Sequence, residues 1–511
     1  MSDELDTTSY WRDTESISRY PALDRDLDVD VVVVGAGITG LTAAYLLQRA
    51  GKRVAVVDRM RAGGVDSMAT TAHVTCVTDT GLAELIKYFG RDHAQAVWDA
   101  GFSAIEQIET IVNDEQIDCG WTRVAGVKHL AAAGESREGV ETLQEEARLA
   151  RELGFDAAFV ESAPFVKRPA VVIGGQARFH PRKYLRALAD RVHQQGSFVF
   201  EHTPCDEVCD EPLSVKALGR TISCKYVVLA THTPLMGKTN IASATLLQTK
   251  LYLYTSYVVG GKVAKGAVPD LLFWDTAEPY HYLRIDERGD HDFVIFGGAD
   301  HKTGQVADTV RCFEQVEAAA RAVIPSLNIT HHWSGQVIET NDGLPFIGES
   351  SSRQFAATGY AGNGMTFGTL AGLMAHDAFL GRKNPWQELF DPGRTKVRGG
   401  AWDYIKENVD YPYYMVRDRL VGPEGTSLRA LRRGEGKILE IKGERVAAYR
   451  DDNGRVTMVS PVCTHMGCEV DWNPAERTWD CPCHGSRFLT SGKVLAGPAE
   501  SPLEPHDPAA S

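Results

Sequence analysis

Two cysteine and histidine pairs near the C-terminus have the residue types and the spacing of a metal site. Cys463 precedes His465 by two positions, Cys481 precedes His484 by three, and 15 residues separate His465 from Cys481. Thiolate and imidazole groups at such short spacings bind transition metals. Two cysteines and two histidines suit a zinc ion, and they also suit an iron–sulfur cluster in which the cysteines hold one iron and the histidines the other.

The other residues around these pairs favour the cluster over zinc. Each loop also contains a glycine and a second cysteine, and the second loop adds a serine. With these residues the segment 424–511 closely resembles the Rieske [2Fe–2S] family. The residues that carry the likeness are Gly467 and Cys468 in the first loop and Cys483, Gly485 and Ser486 in the second. The ligands that it implies are Cys463 and Cys481 for one iron and His465 and His484 for the other.

The same resemblance implies roles for residues beside the ligands. Cys468 and Cys483 match the pair whose disulfide ties the cluster loops together in respiratory-type Rieske proteins, although cytosolic disulfides are unusual and free thiols are the alternative. Ser486 matches a serine that donates a hydrogen bond to a cluster sulfur and raises the reduction potential. Phe488 stands where high-potential members have a tyrosine. We therefore expect a disulfide, and a potential below the highest of the family.

A second set of residues, near the N-terminus, has the order needed to bind a dinucleotide. The valines 31–34 predict a buried strand, Gly-Ala-Gly-Ile-Thr-Gly follows at 35–40, and an apolar helical pattern comes next. The first glycine makes a tight turn, the second lets the backbone approach a pyrophosphate, and the third lets the helix pack on the sheet. Asp58 ends the next predicted strand, 53–57, where it would accept hydrogen bonds from ribose hydroxyls.

Three later stretches indicate which dinucleotide this is. Residues 227–231, residues 333–335 with 340–348, and residues 357–366 resemble the D-amino-acid oxidase-like superfamily of FAD-dependent amine and amino-acid oxidoreductases, and the likeness extends over roughly residues 29–382. A glycine-rich helix start within 357–366 would offer unpaired N–H groups to a flavin that gains negative charge on reduction. The residues implied for FAD binding are Gly35, Ala36, Gly37, Ile38, Thr39, Gly40, Asp58, Arg59, Thr70, Thr71, His73, Thr231, Gly362, Gly364, Met365 and Thr366.

His73 carries a separate hypothesis from the same resemblance. Some superfamily members related to dimethylglycine dehydrogenase have a Ser/Thr-x-His at this distance from the fingerprint, and that histidine is bonded to the 8α carbon of the flavin. His73 matches by position and by Thr71, whereas the tryptophan-, alanine- and glycine-rich surroundings of the motif are absent. The alternatives are a covalent flavin and a histidine that only packs on the flavin or hydrogen-bonds to it.

The elements that must position these motifs form a mixed α/β body followed by a small all-β unit. Helical patterns alternate with β-branched or aromatic runs up to about residue 330, and short strand patterns return after 436. We expect a Rossmann-type FAD-binding domain with an inserted α+β substrate domain, and a small all-β C-terminal Rieske domain. The predicted parts are an N-terminal arm of residues 1–28 that packs only locally, an FAD-binding domain of 29–88, 165–232 and 333–382, a substrate domain of 89–164 and 233–332, a linker of 383–423 with a short aromatic helix, and a Rieske domain of 424–511.

A flavin accepts two electrons at once and a [2Fe–2S] cluster accepts one. The presence of both motifs in one chain therefore predicts a protein that converts between two-electron and one-electron transfer. Only one dinucleotide fingerprint is present, so electrons are expected from a substrate, a small amine or amino acid, rather than from a nicotinamide. They would leave through the cluster to an acceptor protein or a quinone. The strand pattern 280–284 places Tyr280, Tyr282 and Arg284 on one face, where Tyr282 and Arg284 are candidates for a clamp on a substrate carboxylate; an ordinary solvated or packed strand is the alternative.

Two other functional classes compete with this interpretation. A Rieske oxygenase would need a mononuclear iron site of two histidines and one carboxylate, and residues 89–332 show no such sequence cluster. An electron carrier would pass electrons between partner proteins without a small-molecule substrate of its own. A cavity beside the flavin would favour the enzyme, and a sealed site would favour the carrier.

The length and composition of the chain limit the number of domains, the kinds of partner and the cellular location that we expect. A chain of 511 residues is long enough for about three domains, and its net charge of −14 argues against nucleic acid as a partner. The first 20 residues are acidic and polar, unlike a secretory signal, and the apolar run 31–47 is explained by the dinucleotide motif. We therefore expect a cytoplasmic protein without a transmembrane helix.

Overall fold

The computed structural model describes residues 6–132, 136–194, 196–235, 250–394 and 422–506. The strands in these ranges, β1 to β26 in chain order, are Leu27–Asp28, Val31–Val34, Val54–Val57, His73–Val74, Thr122–His129, Ala157–Val160, Ala170–Arg178, Phe198–Phe200, Glu207–Asp210, Leu213–Ala217, Arg220–Ser223, Tyr226–Leu229, Leu251–Ala264, Leu272–Asp275, Tyr282–Glu287, His291–Lys302, Asn328–Thr340, Phe346–Ser351, Gln354–Thr358, Gly436–Ile441, Glu444–Arg450, Val456–Val459, Asp471–Asn473, Thr478–Asp480, Arg487–Leu489 and Val494–Ala496. The helices, α1 to α10, are Tyr10–Thr14, Ile38–Arg49, Asp66–Ala69, Leu82–Phe89, Arg91–Asp114, Arg137–Glu152, Pro181–Val192, Thr309–Val323, Gly364–Phe379 and Gln387–Phe390.

A six-stranded sheet carries the dinucleotide motif. Its order is β18-β19-β12-β2-β3-β8, with β18 antiparallel to β19 and the remaining pairs parallel. Every residue of β2, β3 and β12 is buried, as expected for central parallel strands covered on both faces. Ligands bind parallel sheets beyond the carboxyl ends of their strands, so the loops after β2 and β12 are where a dinucleotide is expected.

A larger, mostly antiparallel sheet packs beside the first and forms the wall of the site. Its order is β17-β13-β16-β15-β14-β5-β7-β4, and β6 pairs with β7 at the side. Its long strands β13 and β16 bring residues far apart in sequence into register, for example Tyr257 opposite Gly298. Strand β7, Ala170–Arg178, belongs to this sheet although it falls within a segment predicted for the FAD-binding domain.

The C-terminal part is all-β, as predicted. It consists of two small sheets, with orders β20-β21-β22 and β23-β24-β25-β26. Trp479 and Phe488 are fully buried between them, together with the cysteines of the two cluster loops. The predicted aromatic helix of the linker lies outside the described residues, because they leave out 395–421.

The N-terminal arm is more deeply packed than the sequence suggested, and the prediction of purely local packing is wrong. Tyr10 stacks on Phe293 with ring centroids 3.7 Å apart and donates a hydrogen bond to Asp286. Trp11 is fully buried and donates from Nε1 to the carbonyl of Thr70. The arm is held because its aromatic rings bury apolar surface and their polar ends find partners in the body. Among the described residues no helix combines the length and the apolarity that crossing a membrane requires.

Candidate functional site

A cavity of about 940 Å³ opens where the loops after β2 and β12 meet the large sheet. It is lined by residues from both ends of the predicted FAD site, and most of the predicted set face it. The predicted residues that line it are Gly35, Gly37, Ile38, Thr39, Asp58, Arg59, Thr70, Thr71, His73, Thr231, Gly362, Gly364 and Met365. The sequence-predicted cofactor residues therefore come together around one space.

The glycine turn at one end of the cavity leaves room for a close ligand. Gly35 has φ of +108°, and a Cβ there would lie 2.3 Å from the carbonyl oxygen of Ala230. A Cβ on Gly40 would lie 1.9 Å from the carbonyl oxygen of Gly35, so only glycine lets the helix come this close to the turn. At the start of α2, Gly37 has no side chain that could act as a cap, and the amide of Ile38 donates to Ser67 Oγ at 3.2 Å. This is the arrangement in which a helix N-terminus binds a pyrophosphate.

Asp58 is positioned by the backbone of the same turn. Its two carboxylate oxygens accept hydrogen bonds from the amides of Ala36 and Met60, each at 2.7 Å. Burial raises the pKa of the Asp58 carboxyl, and these amide bonds oppose that rise. Each carboxylate oxygen can accept more than one bond, so the group keeps capacity for a ribose hydroxyl.

Three predicted FAD residues lie behind the cavity wall rather than in it. Ala36 holds Asp58, and Gly40 lets α2 pack against the turn. Thr366 is fully buried and donates from Oγ1 to the carbonyl oxygen of Thr75. These residues support the shape of the site without lining it.

His73 faces the cavity from the short strand β4. Its Nδ1 lies 3.1 Å from Thr71 Oγ1, and its ring meets the ring of Tyr282 edge-on at 5.8 Å. Burial, with a smaller contribution from the charge of Arg284, lowers the pKa of His73 to about 3. The imidazole is therefore neutral at physiological pH, the form that both a hydrogen-bonding and a nucleophilic role require.

A second group of polar side chains also lines the cavity, and of its members only Tyr282 was a candidate from the sequence. The Ser256 hydroxyl lies 2.5 Å from both the Tyr282 hydroxyl and Asp300 Oδ1. Burial raises the pKa of Asp300 to about 6, while the Ser256 hydrogen bond opposes this. The three residues come from β13, β15 and β16, so only the strand pairing reveals their proximity.

Asp79 and Tyr280 extend this polar wall towards the predicted flavin loop. The Tyr280 hydroxyl donates to Asp79 Oδ1 at 3.3 Å, and a Cβ on Gly362 would lie within 3.5 Å of both side chains. The carboxyl group of Asp79 opens onto the cavity, and desolvation by the protein around it raises its pKa to about 7. The cavity therefore combines phenols with carboxylic groups that titrate near neutral pH.

Arg284 does not take the place expected for a substrate carboxylate clamp. Its side chain is completely buried, and Nη1 donates to the backbone carbonyls of Ala72 and Phe179. Its guanidinium lies over the ring of Trp11, 5.3 Å from the centroid, and it does not line the cavity. The arginine anchors the N-terminal arm and the loop before His73, because a buried guanidinium needs several acceptors. Of the two residues considered for the carboxylate clamp, Tyr282 lines the cavity and Arg284 does not.

The C-terminal loops bring the four predicted cluster ligands together. Cys463 and Cys481 are buried, and the rings of His465 and His484 lie perpendicular with centroids 4.9 Å apart. Burial lowers the pKa of each of these histidines to about 4, which keeps the imidazoles neutral as metal ligands must be. Two thiols and two neutral imidazoles fit the donor set of a Rieske cluster.

Cys468 and Cys483 form a disulfide with an S–S distance of 2.08 Å. Sulfur atoms of Cys468, Cys481 and Cys483 lie close enough together to suggest a metal site of their own. Since a disulfide provides no thiolate, only Cys481 of these three can serve as a ligand. Ser486 is fully buried, accepts from the amide of Ala499, and its hydroxyl lowers the pKa of Cys463 to a smaller extent than the neighbouring Cys481 does.

The cluster loops are docked onto the wall of the cavity. Gln336, in β17, donates from Nε2 to the carbonyl oxygen of Gly485 at 2.9 Å. Thr233 donates from Oγ1 to the carbonyl oxygen of Gly497 at 3.2 Å. The loop that follows, residues 497–500, itself lines the cavity. The C-terminal unit is thus part of the site.

Comparison with known protein families agrees with both halves of this site. Residues 30–378 match the family of FAD dependent oxidoreductases named DAO, and residues 426–507 match the Rieske [2Fe-2S] domain. The chain belongs to the DAO family of FAD-dependent oxidoreductases. The predicted fold class, the enzyme class and the two cofactors, FAD and a Rieske [2Fe–2S] cluster, are confirmed.

Relatives of this oxidoreductase include proteins that match the whole chain or one half of it. A Bacillus subtilis protein, YhfW, whose name describes it as a Rieske 2Fe-2S iron-sulfur protein, is 32% identical over 98% of this chain and 97% of its own length. Gamma-glutamylputrescine oxidoreductase of Escherichia coli is 23% identical over 81% of this chain and 99% of its own. The cytochrome b6-f complex iron-sulfur subunit of Trichodesmium erythraeum is 32% identical over 31% of this chain and 78% of its own.

Solved structures support the fold of the first part. Glycine oxidase from Geobacillus kaustophilus superimposes with a TM-score of 0.60 at 18% identity, covering 72% of this oxidoreductase and 99% of its own chain. L-proline dehydrogenase from P. horikoshii gives a TM-score of 0.58 at 19% identity, covering 72% and 98% of the two chains. At these identities the comparison shows the fold alone.

Proposed function

We propose that this oxidoreductase oxidises a C–N bond of a small amine, transfers the hydride to FAD, and releases the electrons one at a time through its Rieske cluster. The observation that carries the proposal is the single cavity lined by predicted FAD residues, by a wall of carboxylates and phenols, and by a loop of the Rieske unit. The carboxylates and phenols of this wall, which lie outside the predicted FAD set, could bind a small molecule, and this favours an enzyme over a carrier that only relays electrons between partners.

The charges of the cavity wall favour an amine over an amino acid. Asp79 and Asp300 face the cavity, and as carboxylates they would attract an ammonium group. Arg284, the arginine considered for a carboxylate clamp, donates to the backbone carbonyl of Ala72 and does not line the cavity. Lys128 also lines the cavity, but it is engaged with Glu146 at 2.7 Å. Arg59, the other cationic residue that lines the described cavity, belongs to the predicted FAD set, so the wall around Asp79 and Asp300 suits a cationic substrate without a carboxylate.

The same groups could prepare an amine for oxidation. An amine must lose its proton before it can give up a hydride, and a carboxylate with a pKa near neutral can accept that proton at physiological pH. Asp300 and Asp79 have raised pKa values, and Ser256 and Tyr282 extend a hydrogen-bonded path from Asp300 towards His73. Positioning and deprotonation are the contributions that we assign to this wall.

The residue assignments belong to the proposal as well. We assign FAD to the predicted set that surrounds the cavity, with Ala36, Gly40 and Thr366 in supporting positions, and the cluster to Cys463, His465, Cys481 and His484. We also keep the predicted domain boundaries, with the exception that β4, β7 and β17 belong to the large sheet of the substrate side. The identity of the one-electron acceptor, a protein or a quinone, and a cytoplasmic location stay predictions.

Anaerobic mixing with a panel of substrates tests this function. Protein carrying FAD and the cluster is mixed with primary, secondary and diamine substrates and, in parallel, with the matching amino acids, and the flavin absorbance is followed. We expect bleaching by at least one amine and weaker or no bleaching by its carboxylated counterpart. Bleaching by amino acids alone would contradict the amine preference, and bleaching by neither class would contradict C–N oxidation.

The order of reduction tests the direction of electron flow. After rapid mixing with a reactive amine, flavin bleaching should come first and cluster bleaching second. The reverse order would mean that electrons enter at the cluster, and the protein would then be a carrier.

A further inference from the structure

Gln336 joins the flavin cavity to the second cluster loop. It is buried in β17, lines the cavity, and donates from Nε2 to the carbonyl oxygen of Gly485 at 2.9 Å and to Thr303 Oγ1 at 3.2 Å. Gly485 directly follows the ligand His484. The side chain of Gln336 and the single residue Gly485 therefore separate the cavity wall from a predicted iron ligand.

At this bond the backbone of the cluster loop lies so close to the large sheet that no side chain fits between them. A Cβ on Gly485, whose φ is +69°, would lie 2.7 Å from Leu253 Cβ. On the side of the large sheet, Gly304 lies in the turn after β16 with a φ of +80°, and a Cβ there would lie 2.7 Å from the carbonyl carbon of Cys481. The cluster loop thus rests with its backbone against strands β13, β16 and β17 of the large sheet and the turn that follows β16, and an added methyl group would separate them.

The two cluster loops have different surroundings. The second loop, 481–485, is docked on the large sheet, and Gln305 provides another bond there by donating to the carbonyl oxygen of Pro482 at 3.1 Å. In the first loop, Val462 and Met466 remain 49% and 47% exposed. The cluster therefore has one side towards the flavin cavity and another towards solvent.

We propose that Gln336 is the positioning residue of an electron path that runs from the flavin cavity through Gly485 to the cluster. The inference rests on the proposed function, in which the flavin receives two electrons from the amine. The cluster accepts one electron at a time, one of its two ferric ions becoming ferrous, so the path is used twice in each turnover. An external one-electron acceptor removes each electron from the cluster, and the protons of the reduced flavin go to water.

Replacement of Gln336 by leucine tests the path, because leucine has a similar size and no hydrogen-bond donor. In anaerobic protein with both cofactors, the flavin is reduced by a light flash with EDTA as electron donor, so no amine is needed. Cluster reduction is then followed by absorbance and by the EPR signal of frozen samples. We expect Gln336→Leu to slow cluster reduction about tenfold relative to flavin reduction, since the unpaired carbonyl lets the loop move away from the sheet. Hydrogen–deuterium exchange of the segment 481–486 should increase in the same variant.

Gln305→Leu is the matched control. It removes a glutamine bond to the same loop, but Gln305 does not line the cavity. The bond from Gln336 to Gly485, next to His484, remains in this variant, so we expect cluster reduction within about twofold of the unchanged protein. Equal slowing in both variants, or no slowing in Gln336→Leu, would overturn the role of Gln336 while the proposed function stands. Absence of cluster reduction after the flash in the unchanged protein would instead overturn the flow of electrons from flavin to cluster.

Discussion

Asp300 is the residue whose protonation should control the binding of a cationic amine. Burial raises its pKa to about 6, so the carboxylate is charged above that pH and becomes neutral as the pH falls through it. We expect the substrate concentration for half-maximal flavin reduction to rise as the pH falls through about 6. Asp300→Asn should raise this concentration about tenfold at pH 8, the usual effect of losing a charge-assisted hydrogen bond. It should also remove the part of the pH dependence near 6 and leave the part that Asp79, with a pKa of about 7, contributes. An amine affinity that does not change with this variant would remove Asp300 from the site.

Stability measurements separate this effect from unfolding. Because the pKa of Asp300 in the folded protein lies above the ordinary value, its ionisation disfavours the folded state, and stability is lost as the pH rises towards about 6. The substrate-free Asp300→Asn protein should therefore melt at the same or a higher temperature than the unchanged protein at pH 8. Asp290→Asn is the matched control, since Asp290 is almost fully exposed and does not line the cavity.

Helix α2 and the turn before it show how one element decides whether the flavin is retained. A Cβ on Gly40 would lie 1.9 Å from the carbonyl oxygen of Gly35, so Gly40→Ala must push the helix away from the turn. Overpacking of this kind costs about 1–3 kcal/mol and displaces the N–H groups aimed at the pyrophosphate. We expect purified Gly40→Ala protein to contain less than half of the normal FAD, with its iron content unchanged. Gly289→Ala, at a glycine with no atom near the added Cβ, should keep both.

The arrangement of the helices and strands explains which parts of the site could be predicted from the sequence. The glycine turn and the cluster loops are contiguous motifs, so their order in the chain already reveals their chemistry. Ser256, Tyr282 and Asp300 are separated by 26 and 44 positions and meet only because β13, β16 and β15 pair side by side. Tyr10 and Trp11 were missed for the same reason: their partners belong to distant strands and loops. Long-range pairing leaves no local pattern from which it could be predicted.

The whole molecule joins an FAD-dependent oxidoreductase part and a Rieske part that contact each other directly. The Rieske unit does not hang free of the flavin body, because Thr309 Oγ1 donates to Asn473 Oδ1 at 2.7 Å, and Thr233 and Gln336 donate to backbone carbonyls of its loops. Its loop 497–500 completes the cavity wall. The predicted FAD residues and the loops of the Rieske unit therefore border one cavity.

Loss of the cluster should separate the two halves of the reaction. His465 belongs to the first cluster loop, whereas the described bonds to the large sheet come from the second, so His465→Ala removes a predicted ligand without removing that docking contact. We expect the variant to lack the Rieske EPR signal, to keep FAD, and to be bleached by a reactive amine at an unchanged rate. Turnover with a one-electron acceptor such as ferricyanide should fall at least about tenfold, because each electron must then leave directly from a flavin enclosed by the cavity wall. Unchanged turnover would show that the cluster is not on the exit path, and a protein purified with stoichiometric zinc and no iron would contradict the cluster assignment itself.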